Sequence, residues 1–207
     1  MARFKSSTFG KISGKYGDAI AVVRKDGLCI LKEYVKPSNP NSPKQQAQRT
    51  LFQFGMKELN YFRSVFTITF DGQYGINRAL SFAMKTSIEG EFPNYTLDYR
   101  KLIISNGKLE KLALLDVKQQ VGYTVRIEWN LDDSIGVSPE DKVNLVFLNP
   151  ASKVVLFKQD VALRSMGTIE EDLPTIWKGL LIHGWLYLSS PISKSFSTSQ
   201  YIGLIQL

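Results

Sequence analysis

Apolar residues recur at two different spacings along this chain, and the change between them divides it into two parts. Between residues 42 and 87 they recur every three to four positions, the spacing of an amphipathic helix. From Thr96 onward, short runs alternate apolar and polar residues, and turn residues separate these runs. The pattern predicts a hairpin-helix region at 1–95 and a β-sandwich at 96–207.

A β-hairpin is predicted ahead of the helices. Two β-rich runs, residues 19–24 and 28–31, flank an Asp-Gly pair at 26–27, which two-residue type I′ turns favour. This turn pairs Val23 with Ile30 and leaves apolar side chains on both faces of the ribbon. Because a two-stranded ribbon is barely stable alone, we expect the helices or another molecule to cover it.

Three features of the sequence predict where the first helix begins. Ser42 takes the N-cap position, Pro43 the first helical position and Gln45 the third, which completes a Ser-x-x-Gln capping box. The apolar spacing extends the helix to about Val65. Gly55 lies in mid-helix at a cost of about 1 kcal/mol relative to alanine, which indicates that another backbone approaches closely there.

The apolar arc of this helix is wider than a surface helix needs. Its two adjacent stripes are Ala47, Leu51, Phe54 and Leu59, and Phe52, Met56, Phe62 and Phe66. A second helix is predicted over residues 76–87. These surfaces need more cover than a region of this size supplies, so we expect the sandwich or a neighbouring subunit to complete them.

The remaining residues have the profile of a seven-stranded immunoglobulin-like or fibronectin type III-like sandwich. Alternation is clearest over residues 123–129 and 143–147. No cysteine pair spans the region, which favours the fibronectin-like version. The other strands are predicted near residues 102–115, 154–157, 161–169, 181–188 and 197–205. The fold class is therefore α+β and β-rich, and we expect a 97–207 fragment to fold alone.

The net charge of +7 is concentrated at the N-terminal end. Residues 1–70 hold 12 Lys and Arg against 4 Asp and Glu, whereas the remaining residues hold 14 against 15. Such a field attracts nucleic acid, an acidic membrane surface or an acidic protein. The alternative is that these Lys and Arg side chains simply solvate a small segment with a weak hydrophobic core. The candidate interaction residues are Lys11, Lys15, Arg24, Lys44, Arg49, Phe52, Met56 and Arg63.

Residues that carry chemistry are few. One cysteine, Cys29, excludes an internal disulfide. One histidine, His183, lies in a predicted strand, where an ordinary strand role is favoured over a zinc site or a catalytic triad. The acidic groups at 132–133, 140–141 and 170–172 are interpreted as solvated turns. We expect no enzymatic activity, no cofactor and no metal site.

The N-terminal sequence shows no secretory signal, and no apolar run reaches the roughly 20 residues of a membrane span. We therefore expect a protein that is cytoplasmic or assembled into a particle.

Four motifs lie near the two ends of the chain: Gly10-x-x-x-Gly14-Lys15-x-Gly17, Arg24-x-x-Gly27, Asn39-Pro40-x-x-x-x-Gln45-x-x-Gln48-Arg49-x-x-Phe52 and Ser197-x-Ser199-x-Tyr201-x-Gly203. In these motifs the chain resembles an uncharacterised bacterial protein family, a domain of unknown function. The central motif is also similar to stretches in small proteins of phage or mobile-element character. The resemblance implies a glycine-rich lead, a hairpin, a helix and a sandwich, and a structural or assembly role.

These observations favour a non-enzymatic structural or interaction protein that acts within a larger assembly. Its partner is expected to be another protein or further copies of the chain. The alternative is nucleic-acid binding through the basic N-terminal region, where Phe4, Tyr16 and Tyr34 are available to stack on bases.

Overall fold

A computed structural model of the chain describes residues 2–4, 12–36, 38–70, 74–119, 123–131 and 137–207. The chain divides into two compact units, residues 1–42 and residues 43–207. The first helix therefore begins the second unit. The boundary predicted near residue 95 concerns independent folding and stays a prediction.

The first unit is a four-stranded antiparallel sheet in the order β1-β4-β3-β2. Its strands are β1 (Ala2–Phe4), β2 (Gly14–Tyr16), β3 (Ala19–Val23) and β4 (Cys29–Glu33). The predicted hairpin is the central β3–β4 pair. The two outer strands were not predicted, because three residues are too few to show a periodic pattern.

The register of this hairpin differs from the prediction by one residue. Val23 pairs with Cys29, one position short of the predicted partner. At the turn, Arg24 N–H donates to the Leu28 carbonyl at 2.9 Å, and Gly27 has a φ of 79°. Gly27 is therefore the left-handed third residue of a three-residue loop. The predicted two-residue turn was wrong, although both faces of the ribbon still carry apolar side chains.

Three α-helices are described in the second unit. They are α1 (Pro43–Leu59), α2 (Arg63–Thr69) and α3 (Gly75–Thr86), with a 3₁₀ turn over residues 60–62 that joins α1 to α2. The capping roles of Ser42 and Gln45 stay predictions. Within the described ranges, no helix combines the length and the apolar composition that crossing a bilayer requires.

Helices α1 and α3 pack closely where α1 lacks a side chain. A Cβ at Gly55 would collide with Leu80 Cδ1 and lie 3.0 Å from Ile88 Cδ1. The close approach was predicted, but the approaching group is a side chain and not a backbone. One side of α3 is buried and carries Ile76, Ala79, Leu80 and Ala83.

Directly after α3, a short hairpin precedes seven longer strands that form two sheets over one core. The hairpin strands are β5 (Ile88–Glu91) and β6 (Asn94–Leu97). The three-stranded sheet has the order β11-β8-β7, and the four-stranded sheet the order β10-β9-β12-β13. The seven strands are β7 (Ala113–Gln119), β8 (Thr124–Asn130), β9 (Lys142–Asn149), β10 (Val154–Leu163), β11 (Thr168–Asp172), β12 (Leu181–Ser189) and β13 (Gln200–Gln206).

The four-stranded sheet is covered on both faces. Leu145 and Phe147 of β9 belong to the core shared with the three-stranded sheet. Val146 of β9 and Trp185 and Tyr187 of β12 belong instead to a second core, built with the helices. The Trp185 ring packs edge to face against the ring of Phe62, which lies in the 3₁₀ turn between α1 and α2; the ring centroids are 5.5 Å apart. The helices are thus a third layer of the second unit.

Several of the predicted strands have other limits. The strand expected over 102–115 begins only at Ala113, and the residues before it form a single isolated bridge, Leu109 with Ser197. The strands predicted separately over 154–157 and 161–169 are divided differently: β10 continues from Val154 to Leu163, and a 3₁₀ turn at 164–166 separates it from β11.

Candidate interaction site

Three of the predicted interaction residues belong to the first 42 positions. Lys11 lies outside the described residues. Lys15 lies on the edge strand β2, and its Nζ is 4.0 Å from the ring centroid of Tyr34. Arg24 directly precedes the three-residue hairpin loop, and its Nε lies 3.9 Å from Asp26 Oδ2.

The other five lie on the continuous α1–α2 segment. Lys44, Arg49 and Arg63 are exposed, whereas Met56 is partly buried against the core formed by the helices and the sheet. Phe52 is 48% exposed. The structure therefore places these residues on one helical segment, and their contact with a partner stays a prediction.

Phe52 borders a groove of about 330 Å³ between α1 and α3, which we call the α1–α3 groove. Leu80, whose side chain lies against Gly55, also lines it. The lining residues are Gln48, Leu51 and Phe52 from α1, and Asn77, Leu80, Ser81, Met84 and Lys85 from α3.

The groove combines an apolar surface with a positive rim. Leu51, Phe52 and Met84 supply aliphatic, aromatic and thioether surface, and methionine adapts readily to differently shaped partners. Lys85 lines the groove, and Lys44 is exposed one turn before lining residue Gln48. No acidic side chain is among its described lining residues. This arrangement can hold an apolar side chain and attract negative charge beside it.

The C-terminal motif has a structural role that its sequence did not reveal. Ser197 Oγ accepts a hydrogen bond from Leu188 N–H at 2.8 Å, and the Ser197 carbonyl accepts one from Ser105 Oγ at 2.8 Å. Ser199 Oγ accepts from Ile104 N–H, also at 2.8 Å. These serines fasten residues 104–105 to the four-stranded sheet.

Tyr201 of the same motif contacts the only histidine of the chain. Its hydroxyl lies 2.8 Å from His183 Nδ1, and the Tyr99 ring packs on the imidazole with centroids 4.6 Å apart. Burial lowers the pKa of His183, the nearby Arg100 charge lowers it further, and Asp98 opposes both effects. His183 is thus a half-buried packing residue of β12.

Protonation of His183 is expected to destabilise the fold. Because burial lowers its pKa in the folded protein, the unfolded chain binds the proton first as the pH falls. The free energy of unfolding should therefore be largest above the unfolded pKa of about 6.5 and should decrease below it. Urea unfolding between pH 5 and 8 measures this change.

The matched control for this prediction is His183→Gln, which cannot titrate in this range. The variant should lose the decrease in unfolding free energy that begins near pH 6.5, whatever its stability at pH 8. Identical pH profiles for the two proteins would contradict the prediction.

A buried ion pair also escaped sequence reasoning. Arg164 Nη1 lies 3.3 Å from Asp141 Oδ2, and these side chains are 3% and 0% exposed. The guanidinium also donates to the carbonyls of Glu110 at 3.2 Å and Lys111 at 3.0 Å. Trp129 Nε1 donates to the Arg164 carbonyl at 2.8 Å. Asp141 is therefore a structural residue, and its interpretation as a solvated turn was wrong.

The other acidic groups have different outcomes. Residues 132–133 lie outside the described residues. Glu170 and Asp172 belong to strand β11 and not to a turn, and Asp172 Oδ1 accepts a hydrogen bond from Thr124 Oγ1 at 2.6 Å.

Comparison with protein families gives a match over most of the chain. The model of a family described as "Family of unknown function (DUF6266)" matches residues 11–203. No curated protein and no solved structure matches the chain.

Proposed function

The chain belongs to this family of unknown function, DUF6266, and we propose that it is a non-enzymatic interaction protein, a component of a larger assembly. The observation that carries the proposal is the half-exposed Phe52 beside the α1–α3 groove. An aromatic side chain next to an apolar groove is typical of the residues that dominate protein–protein binding energy.

The partner is a protein segment with an apolar anchor flanked by acidic side chains. The anchor would pack on Phe52 and Met84 inside the groove. The acidic groups would lie near Lys44 and Lys85, whose positive charge has no acidic counterpart among the described lining residues. Helix-in-groove recognition uses the same combination of apolar anchors and charged rims.

The scaffold behind this surface is proposed to be a fibronectin type III-like sandwich. Its support is the three-plus-four arrangement, β11-β8-β7 facing β10-β9-β12-β13. With β7 to β13 lettered A, B, C, C′, E, F and G, the sheets read E-B-A and C′-C-F-G, the strand order of that fold. Since such sandwiches host many functions, the docking role depends on the groove and not on the fold.

A photo-crosslinking amino acid at position 52 tests the docking role in the organism that carries the gene. The control is the same substitution at Phe92, which is 45% exposed and lies in the β5–β6 turn. We expect a discrete crosslinked partner from position 52 and none from position 92. The partner peptide, identified by mass spectrometry, should contain acidic residues around an apolar one.

Titration of each variant with the purified partner then measures how much each side chain contributes to the affinity. Phe52→Ala should raise the dissociation constant about 30-fold, the effect of an aromatic hot spot, and Lys85→Glu should raise it further, whereas Phe92→Ala should leave it unchanged. An unchanged affinity for Phe52→Ala would overturn the proposal. A crosslink to a second copy, with a dimer mass by light scattering that Phe52→Ala abolishes, would replace the foreign partner by self-assembly.

Nucleic-acid binding by the first unit is the second candidate function. It is favoured by Tyr16, which is 81% exposed on the edge strand β2, next in sequence to the cation of Lys15. Oligonucleotide binding that Tyr16→Ala abolishes would support it.

A further inference from the structure

A second groove, of about 740 Å³, lies on another side of α3. We call it the basic groove, because Arg78, Lys108 and Lys194 line it and no acidic side chain is among its described lining residues. It shares no lining residue with the α1–α3 groove. Its walls are α2 and α3 on one side and the loops at 106–108 and 194–196 on the other.

Hydrogen bonds and close packing connect the two loops. Leu109 N–H donates to the Phe196 carbonyl at 3.1 Å, and a Cβ at Gly107 would collide with that same carbonyl oxygen. Thr198 Oγ1 donates to Asn106 Oδ1 at 3.3 Å. Contacts within the protein therefore hold this wall of the groove together.

The helical wall is held by aromatic packing and by an arginine contact. The rings of Phe70 and Phe82 lie 5.9 Å apart between centroids. Arg78 Nη1 donates to the Phe70 carbonyl at 3.3 Å, which keeps the guanidinium at the groove. Phe82 remains 36% exposed, so part of its ring is open to a ligand.

The charges come from both walls. Arg78 lies on α3, whereas Lys108 and Lys194 come from the two loops. Both lysines are exposed, and neither forms an ion pair with a described acidic residue. Cations on opposite sides of one groove concentrate negative charge between them.

We propose that the basic groove binds single-stranded nucleic acid. The three cations would contact backbone phosphates, and a base would stack on the exposed part of Phe82, the combination by which single strands are held without sequence preference. The volume is within the usual range for small-ligand sites and suits one or two nucleotides. Each nucleotide brings both a phosphate and a flat base, whereas an acidic peptide matches only the charge.

The test is a fluorescence anisotropy titration of a labelled ten-nucleotide poly-dT strand with the full chain, from 25 to 200 mM NaCl. Three phosphate contacts predict a slope of about −2 in a plot of log affinity against log salt. Lys108→Glu/Lys194→Glu should weaken binding at least tenfold at 100 mM NaCl and reduce the magnitude of the slope to less than about 1. Phe82→Leu should weaken binding about tenfold through lost stacking.

The matched control is Lys57→Glu/Lys178→Glu, which makes the same change in net charge at two exposed lysines outside the groove. It should bind nearly as the unmodified chain does, and thermal unfolding verifies that every variant is folded. Absence of binding at 25 mM NaCl, or equal losses in the two double variants, would overturn the proposal. Loss on Tyr16→Ala alone would assign the site to the first unit, and equally tight binding of a poly-glutamate peptide would overturn the preference for nucleic acid.

Discussion

A fragment of residues 97–207 is expected to associate in solution and to unfold far more easily than a fragment of residues 43–207. The helices cover the outer face of the four-stranded sheet, so their removal exposes side chains that are buried in the complete unit: Val146, Leu148, Trp185 and Tyr187. Burial of one such side chain contributes about 1.5–3 kcal/mol. Four of them represent about 6–12 kcal/mol, comparable with the whole stability of a typical domain.

This expectation reverses the one drawn from the strand pattern, which predicted that residues 97–207 fold alone. Light scattering gives the mass of each fragment, and urea unfolding gives its stability and cooperativity. The 43–207 fragment is the control, because it keeps both hydrophobic cores. A 97–207 fragment that is monomeric and as stable as its control would instead support a folding boundary near residue 95.

Asp141→Ala is expected to cost about 3–5 kcal/mol of unfolding free energy, because it leaves the buried Arg164 guanidinium without its counter-charge. The free energy of unfolding falls by about 1–3 kcal/mol per molar urea. The urea concentration at the unfolding midpoint should therefore fall by about 1 M or more. Lys118→Ala is the matched control. It breaks an exposed ion pair with Asp116, which should contribute less than about 1 kcal/mol.

The paired substitution Asp141→Leu/Arg164→Met separates an unpaired charge from lost packing. Because it removes both charges, it should cost less than Asp141→Ala alone. A loss below about 1 kcal/mol for Asp141→Ala would show that the guanidinium is adequately held by the carbonyls of Glu110 and Lys111.

Hydrophobic spacing predicted α3 best, because its buried residues Ile76, Ala79, Leu80 and Ala83 recur at helical spacing. The first helix, predicted to reach about Val65, instead ends at Leu59 and is followed by a 3₁₀ turn and α2. The spacing also missed that strands β9 and β12 are buried on both faces: one alternating face was predicted over residues 143–147, and no face was assigned to residues 181–188. Residues 143–148 and 185–188 are nearly continuous apolar runs, the pattern of strands buried on both faces. Combined with the wide apolar arc of α1, these runs already indicated that the helices pack on this sheet.

Other features could not be predicted, because they depend on which distant segments meet. Asp141 and Arg164 are 23 positions apart, and no local pattern marks them as a pair. The hairpin register was ambiguous for a different reason. A glycine with positive φ at position 27 suits both a two-residue turn and a three-residue loop. The basic groove likewise combines two helices with two loops far apart in the sequence.

The contacts of the C-terminal motif also bear on aggregation. Strand β13 is at the edge of its sheet, and an open edge invites strands from other molecules. At its start, the Gln200 side chain accepts from Leu112 N–H at 3.1 Å and donates to the Leu112 carbonyl at 2.9 Å. Ser199 N–H donates a hydrogen bond to the Ser105 carbonyl at 2.8 Å. Residues 105–112 therefore cover the start of this edge, where a foreign strand would otherwise begin to pair.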